Sequence, residues 1–455
     1  MDGGSIPPGS TNREGLDGLQ ALFLAPDPRI AQLTRPDMTT AQLAIWGITA
    51  AATAGVILRP FRIPEPVWAL GGAFALVVPG LLTPRAALEG AGKGVDVYLF
   101  LTGMMLLAEL ARQEGLFDWL AAHAASHARG SARRLFTLVY LVGILVTVFL
   151  SNDATAVVLT PAVAAVTRAA RIERPLPYLL ICAFIANAAS FVLPISNPAN
   201  LVIFGAHLPP LLDWLPRFLL PSALSIGATY AVLRATQSAE LRRPIGAEVP
   251  APPLTLGGRA AAGAILATGA LLMAASAFDR PLGLPTCLAA LLTLAVVCSA
   301  ARVSPWRFLR GVSWGVIPLV GGLFVLVEAL DRSGAIRALG GLLQGAARSS
   351  APGAAAAAGL AVGALSNLTN NLPAGLIAGM AVQDAHLPAA VASAVLIGVD
   401  LGPNLSVTGS LATLLWLAAL RRDGLHVSAL DFLKIGALVM PPALLLALAG
   451  LLIAG

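Results

Sequence analysis

Between residues 39 and 454 the chain is a succession of apolar stretches, and two of them are interrupted by polar, helix-breaking sequence. The interruptions are Ser151-Asn152-Asp153 and Asn370-Asn371-Leu372-Pro373. A bilayer core offers no water, so irregular backbone at membrane depth is tolerated only where protein or an aqueous cavity shields it. The two breaks lie 219 residues apart, in corresponding positions of two half-length copies. Paired breaks in an inverted repeat are the sequence signature of a transporter's binding site.

Composition supports a membrane reading. The 455 residues are 57% hydrophobic and 11% charged, whereas soluble domains carry about 25% charged residues. Several segments reach the roughly 17–25 apolar residues of a spanning helix. The net charge of +6 does not point to nucleic acid, because the Arg residues sit in short loops between spans, as the positive-inside rule requires. Residues 1–38 form a polar tail of mixed charge with no signal-peptide pattern. Cys182, Cys287 and Cys298 are all in apolar segments and form no CxxC pair. They read as small packing residues, with neither a disulfide framework nor a three-thiol metalloid site. His123, His127, His207, His386 and His426 lie in or near loops, so no metal site is expected. Gly90-Ala-Gly-Lys-Gly94 lacks the spacing and the Ser/Thr of a phosphate-binding loop, and no HExxH or GxSxG motif occurs. The chain is expected to be no enzyme and to need no cofactor.

The expected architecture is all-α and polytopic. Spans are placed near 39–58, 67–83, 95–112, 177–204 (broken), 217–234, 259–277, 284–301, 311–330, 388–419 (broken) and 435–454. That makes about ten transmembrane helices. Segments 135–168 and 353–381 are too short to cross twice and are read as re-entrant hairpins. Repeat 1 covers 39–234, a cytoplasmic linker 235–258, and repeat 2 covers 259–454. With the hairpins returning to their own sides, nineteen Lys/Arg fall on one face. Only Arg85, Lys93, Arg217, Arg280, Arg332, Arg337 and Arg348 fall on the other, apart from three in the tail. This bias puts both termini outside. The first hairpin then enters from the cytoplasm and the second from outside.

The repeat is visible residue by residue. Gly103 to Glu109 and Gly115 match Gly322 to Glu328 and Gly334, at the same offset of 219 that carries Asn152 onto Asn371. The broken spans pair Leu193-Pro-Ile-Ser-Asn-Pro-Ala-Asn200 with Asp400-Leu-Gly-Pro-Asn-Leu-Ser406 at an offset nearer 206.

Four polar breaks are therefore expected to meet near the midplane. They contribute Ser151 and Asn152; Ser196, Asn197 and Asn200; Asn370 and Asn371; and Asn404, Ser406 and Thr408. A broken helix presents unpaired N–H groups at one end and unpaired C=O groups at the other. Pro194, Pro198, Pro373 and Pro403 remove donors and hold the breaks open. Asn and Ser add donors and acceptors, a cradle suited to a small neutral polyhydroxyl solute; the alternative is that they only cap frayed helix ends. Asp153 and Asp400 are the carboxylates inside the breaks. At membrane depth they suit proton carriage, with a fixed ion-pair or capping role as the alternative. No Lys or Arg lies in any break, which favours a neutral or cationic cargo. Glu109 and Glu328, close to Arg112 and to Arg332 or Arg337, read as interfacial ion pairs, with a proton relay as the alternative.

These motifs resemble the ArsB-type arsenite efflux permeases of the ion transporter superfamily. The residues that carry the resemblance are Ser-Asn-Asp-Ala-Thr-Ala-Val-Val-Leu-Thr-Pro (151–161), Leu-Pro-Ile-Ser-Asn-Pro-Ala-Asn (193–200), Ser-Asn-Leu-Thr-Asn-Asn-Leu-Pro (366–373) and the run from Asp400 to Leu417. Glu109 to Trp119 is also similar to the family's third helix, and the likeness spans roughly 39–454. The chain departs from the family in its long polar start and in having Asn404 where many members have Lys. The resemblance implies a bacterial inner-membrane protein exporting arsenite and antimonite as neutral trihydroxides in exchange for protons. It also implies optional association with a soluble ArsA-type ATPase. A sodium/proton antiporter of the same superfamily and a channel subunit driven by that ATPase are the alternatives.

Overall fold

The computed structural model describes residues 39–205, 208–246 and 252–454, and all regular structure among them is helical. The tail 1–38, His207 and part of the 235–258 linker lie outside the described residues. Residues 39–44 belong to a leading unit, in which Thr39 and Gln42 cap the first helix reciprocally, Gln42 N–H donating to Thr39 Oγ1 at 3.2 Å and Thr39 N–H to Gln42 Oε1 at 3.0 Å. Residues from Ile45 onward form one compact body.

The first half comprises α1 (Thr40–Leu58), α2 (Glu65–Val77), α3 (Pro84–Gly92), α4 (Val95–Gln113), α5 (Leu116–Ala128), α6 (Ala132–Phe149), α7 (Thr160–Ala169), α8 (Leu176–Ala188), α9 (Pro198–Phe204) and α10 (Leu211–Thr236). The second comprises α11 (Leu256–Ala277), α12 (Gly283–Ala301), α13 (Val316–Arg332), α14 (Ala335–Ser349), α15 (Ala351–Thr369), α16 (Asn371–Asp384), α17 (Ala389–Leu401), α18 (Leu411–Arg422) and α19 (Ala429–Ala454). Among the described residues seven helices, α1, α6, α10, α11, α12, α15 and α19, are long and apolar enough to cross a membrane. The pair α3 and α4, bent by 50°, makes an eighth span if taken as one. Helix α12 shows the pattern lipid demands. Leu284, Leu288, Leu292 and Val296 are exposed along one stripe, while Thr286, Ala290, Thr293 and Val297 are buried on the other.

Element order recurs between the halves. Leu116 of α5 and Ala132 of α6 begin their helices 219 residues before Ala335 of α14 and Ala351 of α15. The packing partners exchange as well: α2 lies on α13, and α4 lies on α12. The repeated glycines explain how. A Cβ on Gly103 would stand 2.7 Å from the Thr286 backbone, and one on Gly322 would stand 2.7 Å from the Ala69 backbone. Each glycine lets two helices approach to backbone contact, as small residues do in membrane packing.

The spans broken at 189–197 and 402–410 pair differently from the sequence expectation. Leu176 of α8 to Ala389 of α17, and Pro198 of α9 to Leu411 of α18, are each separated by 213 residues rather than 206. Pro198 is the first residue of α9, whereas Pro403 lies in a 3₁₀ turn, so the two prolines are not equivalent. The matching positions are the helix caps: Asn197 accepts from Ala199 N–H at 3.0 Å and Ser410 from Ala412 N–H at 3.2 Å. Helix α10 also starts earlier than position 217, running through Pro216 and Pro221; neighbouring helices in a bilayer tolerate such prolines.

Candidate functional site

The two segments read as hairpins, 135–168 and 353–381, are each interrupted at their Asn-bearing break, and their leading helices α6 and α15 are each long and apolar enough to cross a membrane. Ser151, in extended conformation, accepts from Ala154 N–H at 3.1 Å and starts the turn Asn152–Ala154. Asn370 stands at φ +71°, ψ 153°, a backbone conformation normally confined to glycine and costly for any other residue, and accepts from Leu372 N–H at 3.4 Å to start α16. Helix α5 packs on both α6 and α7, and α14 on both α15 and α16, bracing the helices on either side of each break. After Asp153 the first hairpin passes through a π-helical turn, Thr155–Leu159. There the Ala156 carbonyl faces Pro161, which has no N–H, and the Thr160 hydroxyl donates to it at 2.6 Å instead.

The breaks are joined by one chain of hydrogen bonds. Ser196 Oγ donates to the Val148 carbonyl at 3.0 Å, tying the 189–197 break to the first hairpin. Asn197 Nδ2 donates to Asp400 Oδ1 at 2.7 Å, and Ser190 Oγ lies 2.5 Å from Asp400 Oδ2. Asn187 Nδ2 donates to Asn404 Oδ1 at 2.9 Å, and Asn404 Nδ2 to the Phe184 carbonyl at 3.1 Å. On the far side Asn367 holds the second hairpin to the 402–410 break. Its Nδ2 donates to the Gly402 carbonyl at 2.9 Å, and Ser406 Oγ donates to its Oδ1 at 2.8 Å. Thr408 Oγ1 donates to the Asn367 carbonyl at 3.0 Å, and Asn371 N–H to the Gly409 carbonyl at 2.8 Å.

The expected residues divide by what their polar atoms do. Asn404, Ser406, Thr408 and Asn370 spend theirs inside the protein. Asn200 Nδ2 faces the carbonyls of Ser190, Leu193 and Pro194, while its buried Oδ1 lacks a partner among the described residues. Asn152 Oδ1 accepts from Asp153 N–H at 2.9 Å. Among the described residues, neither the Asp153 carboxylate nor the Asn371 side-chain amide has a hydrogen-bond partner, and both lie at hairpin turns. Asp400 is fully buried. No Lys or Arg occurs within 150–154, 189–197, 366–374 or 400–410.

Glu109 and Glu328 sit away from this network, in matching clamps. Glu109 accepts from Arg112 at 2.5 and 2.7 Å, and Gln113 beside it donates to the Arg307 carbonyl at 2.9 Å. Glu328 accepts from Lys93 and from Arg332, each at 2.7 Å, and Arg332 reaches Glu89 at 2.8 Å. Glu328 thus ties its helix directly to Lys93 of the opposite half, whereas Glu109 is held within its own helix and Gln113 makes the link across. A cavity of about 430 Å³ lies nearby. Lys93, Asp96 and Arg280 line one wall, and Leu201, Met380 and Gln383 line the other. The second wall belongs to α9 and α16, held together by Gln383 Nε2 donating to the Ile203 carbonyl at 2.8 Å.

Asn187 and Ser190 are not among the residues the sequence nominates, and Asn367 stands within the 366–373 motif without being nominated as a binding residue. Asn187 and Ser190 stand in the apolar run Phe184-Ile-Ala-Asn-Ala-Ala-Ser-Phe191, ahead of the Pro-containing segment Leu193–Asn200. A lone Asn within an apolar helix was the available signal.

Residues 45–397 match the family model described as CitMHS, citrate transporter. The chain belongs to the CitMHS family. This CitMHS protein is a transporter of the ArsB-type ion transporter superfamily rather than an enzyme. It is 28% identical over 365 residues to the arsenical pump membrane protein of Yersinia enterocolitica, covering 76% of this chain and 84% of that one. It is 26% identical over 433 residues to an uncharacterized transporter of Mycobacterium tuberculosis, covering 89% and 97%. Its fold is similar to the crystal structure of the Alcanivorax borkumensis YdaH transporter, described as having an unusual topology. The TM-score is 0.51 at 19% identity, over 81% of this chain and 86% of that one.

Proposed function

We propose that this transporter exports arsenite and antimonite, as neutral trihydroxides, across the bacterial inner membrane in exchange for protons. The observation that carries the reading is the cross-linked break network, rich in Asn, Ser and Thr, with two carboxylates and no basic side chain. Neutral hydroxyls exchange hydrogen bonds with such groups, and carboxylates supply the sites that lose and gain the proton. The arsenical pump relatives support the same cargo. A citrate-like anion fits poorly, because a polycarboxylate calls for Arg or Lys at its binding groups. In this reading Asp153, open at the first hairpin turn, takes the proton from outside, and Asp400 is the second carrier. Asn152 and Asn371, whose side-chain amides keep unused hydrogen-bonding capacity among the described residues, bind cargo, and Asn197 holds Asp400 beside them.

The halves act as an inverted repeat, both termini outside, with the hairpins and broken helices moving as a bundle against the remaining helices. The ion pairs agree with the charge count. Arg85, Lys93 and Arg332 meet in one cluster around Glu89 and Glu328. Arg168, Arg174 and Arg243 pair within loops assigned to the other face. The cavity beside Lys93 and Arg280 then opens outside, as an exit vestibule. The test is uptake by everted vesicles with an acidic interior, assayed with arsenite, antimonite, citrate and sodium. Uptake of the two metalloids that collapses with the pH gradient supports the reading. Citrate uptake without metalloid uptake, or metalloid uptake that needs ATP and a soluble partner but no gradient, overturns it.

A further inference from the structure

Ser190 Oγ has one proton and two acceptors in reach. The Asn187 carbonyl lies 2.8 Å away and Asp400 Oδ2 lies 2.5 Å away. With Asp400 ionised, the Ser190 hydroxyl donates to the carboxylate. With Asp400 protonated, the carboxyl O–H donates to Ser190 Oγ, and the Ser190 proton turns to the Asn187 carbonyl. Asn197 Nδ2 donates to Asp400 Oδ1 at 2.7 Å in both cases. A buried polar group without a partner is strongly unfavourable, more so when charged. A hydroxyl that reverses its bond removes that penalty from both charge states without moving the backbone.

We propose that Ser190 is the positioning residue that lets the buried Asp400 gain and lose a proton during transport. The inference rests on the proton-coupled reading above and deepens it. Nothing else in the surroundings takes over the role. The elements packed on α17 are α8, α9, α15, α16 and α19. Their titratable side chains are Tyr178 and Cys182 on α8, Asp384 at the end of α16, and Asp431 and Lys434 on α19. Asp431 and Lys434 pair with each other at 3.6 Å. The 189–197 and 402–410 breaks carry no titratable side chain. Among the described residues Asp400 therefore has only Ser190 and Asn197 as side-chain partners.

The experiment is a pH titration of the purified full-length protein in lipid, read by infrared difference spectroscopy of the carboxylic C=O stretch. Asp400→Asn assigns the band, and arsenite uptake into vesicles is recorded against pH on the same variants. In Ser190→Ala the ionised carboxylate loses a donor, so the Asp400 band midpoint and the transport profile both move to higher pH by about one unit or more. Ser190→Thr, which keeps the hydroxyl, restores both. If Ser190→Ala fails to accumulate, Ser190→Cys, a weaker donor, moves the midpoint in the same direction. An Asp400 band whose midpoint is unchanged in Ser190→Ala, or no titrating Asp400 band in the wild type, overturns the inference. A band shift in a protein whose vesicles take up no metalloid leaves the inference standing and removes the cargo assignment.

Discussion

Asn197 joins two tasks in one amide: its Oδ1 accepts from Ala199 N–H at 3.0 Å to cap α9, and its Nδ2 donates at 2.7 Å to Asp400 in the opposite half. Losing both contacts leaves a buried carboxylate short of a donor and a helix without its cap. Asn197→Ala is expected to destabilise the protein by about 2–4 kcal/mol, from about 1–3 for the hydrogen bond to a charged group and about 1 for the cap. Asn197→Ser keeps the capping oxygen but not the reach. Thermal unfolding in detergent is expected to rank wild type above Ser and Ser above Ala.

The Glu328 clamp is redundant by construction, because Lys93 and Arg332 each approach it at 2.7 Å. Both cations are about half exposed, at 49% and 47%, so solvent screens each bond. Lys93→Ala or Arg332→Ala alone is expected to lower stability only slightly. The double variant leaves Glu328 buried without either cation and is expected to lose clearly more than the sum. A double-mutant cycle measured by thermal unfolding checks this.

Gly103 and Gly322 are expected to be intolerant of a single methyl group. An added Cβ would meet the backbone of Thr286 or Ala69 at 2.7 Å, so Gly103→Ala and Gly322→Ala should each cost about 1–3 kcal/mol. Gly227→Ala, with nothing within 4 Å of the new atom, serves as the neutral control. Comparable unfolding temperatures for all three would contradict the close helix crossings.

Leu201, Met380 and Gln383 line the 430 Å³ cavity. Cys substitutions of the half-buried Met380 and Gln383 are expected to react with a membrane-impermeant maleimide added to intact cells. The wild type should stay unlabelled, since Cys182 is buried and Cys287 and Cys298 lie on the apolar helix α12. Labelling only from the cytoplasmic face of everted vesicles would reverse the proposed orientation.

Much of the hydrogen-bonded break network was legible because its residues break a local rule: Asn, Ser and Pro clusters inside apolar runs have no inexpensive place in lipid. Glu109 with Arg112, and Glu328 with Arg332, were legible for a similar local reason, since residues three or four apart share a helix face. Lys93 as the second partner of Glu328 was not, being 235 positions away. The bonds from Asn197 and Ser190 to Asp400 span 203 and 210 positions, which no helical spacing reports. The register of the second pair of breaks misled because proline marks a bend without saying on which side of it the helix resumes. The caps Asn197 and Ser410 carry that information.

In the proposed mechanism, cargo and protons exchange through the break network. Arsenite added to everted vesicles with an acidic interior should release protons, read as recovery of a quenched pH-sensitive dye. Asp400→Asn and Asp153→Asn should abolish that response while the protein still accumulates and unfolds at a temperature near that of the wild type. A full arsenite-evoked proton response in both variants would contradict the account.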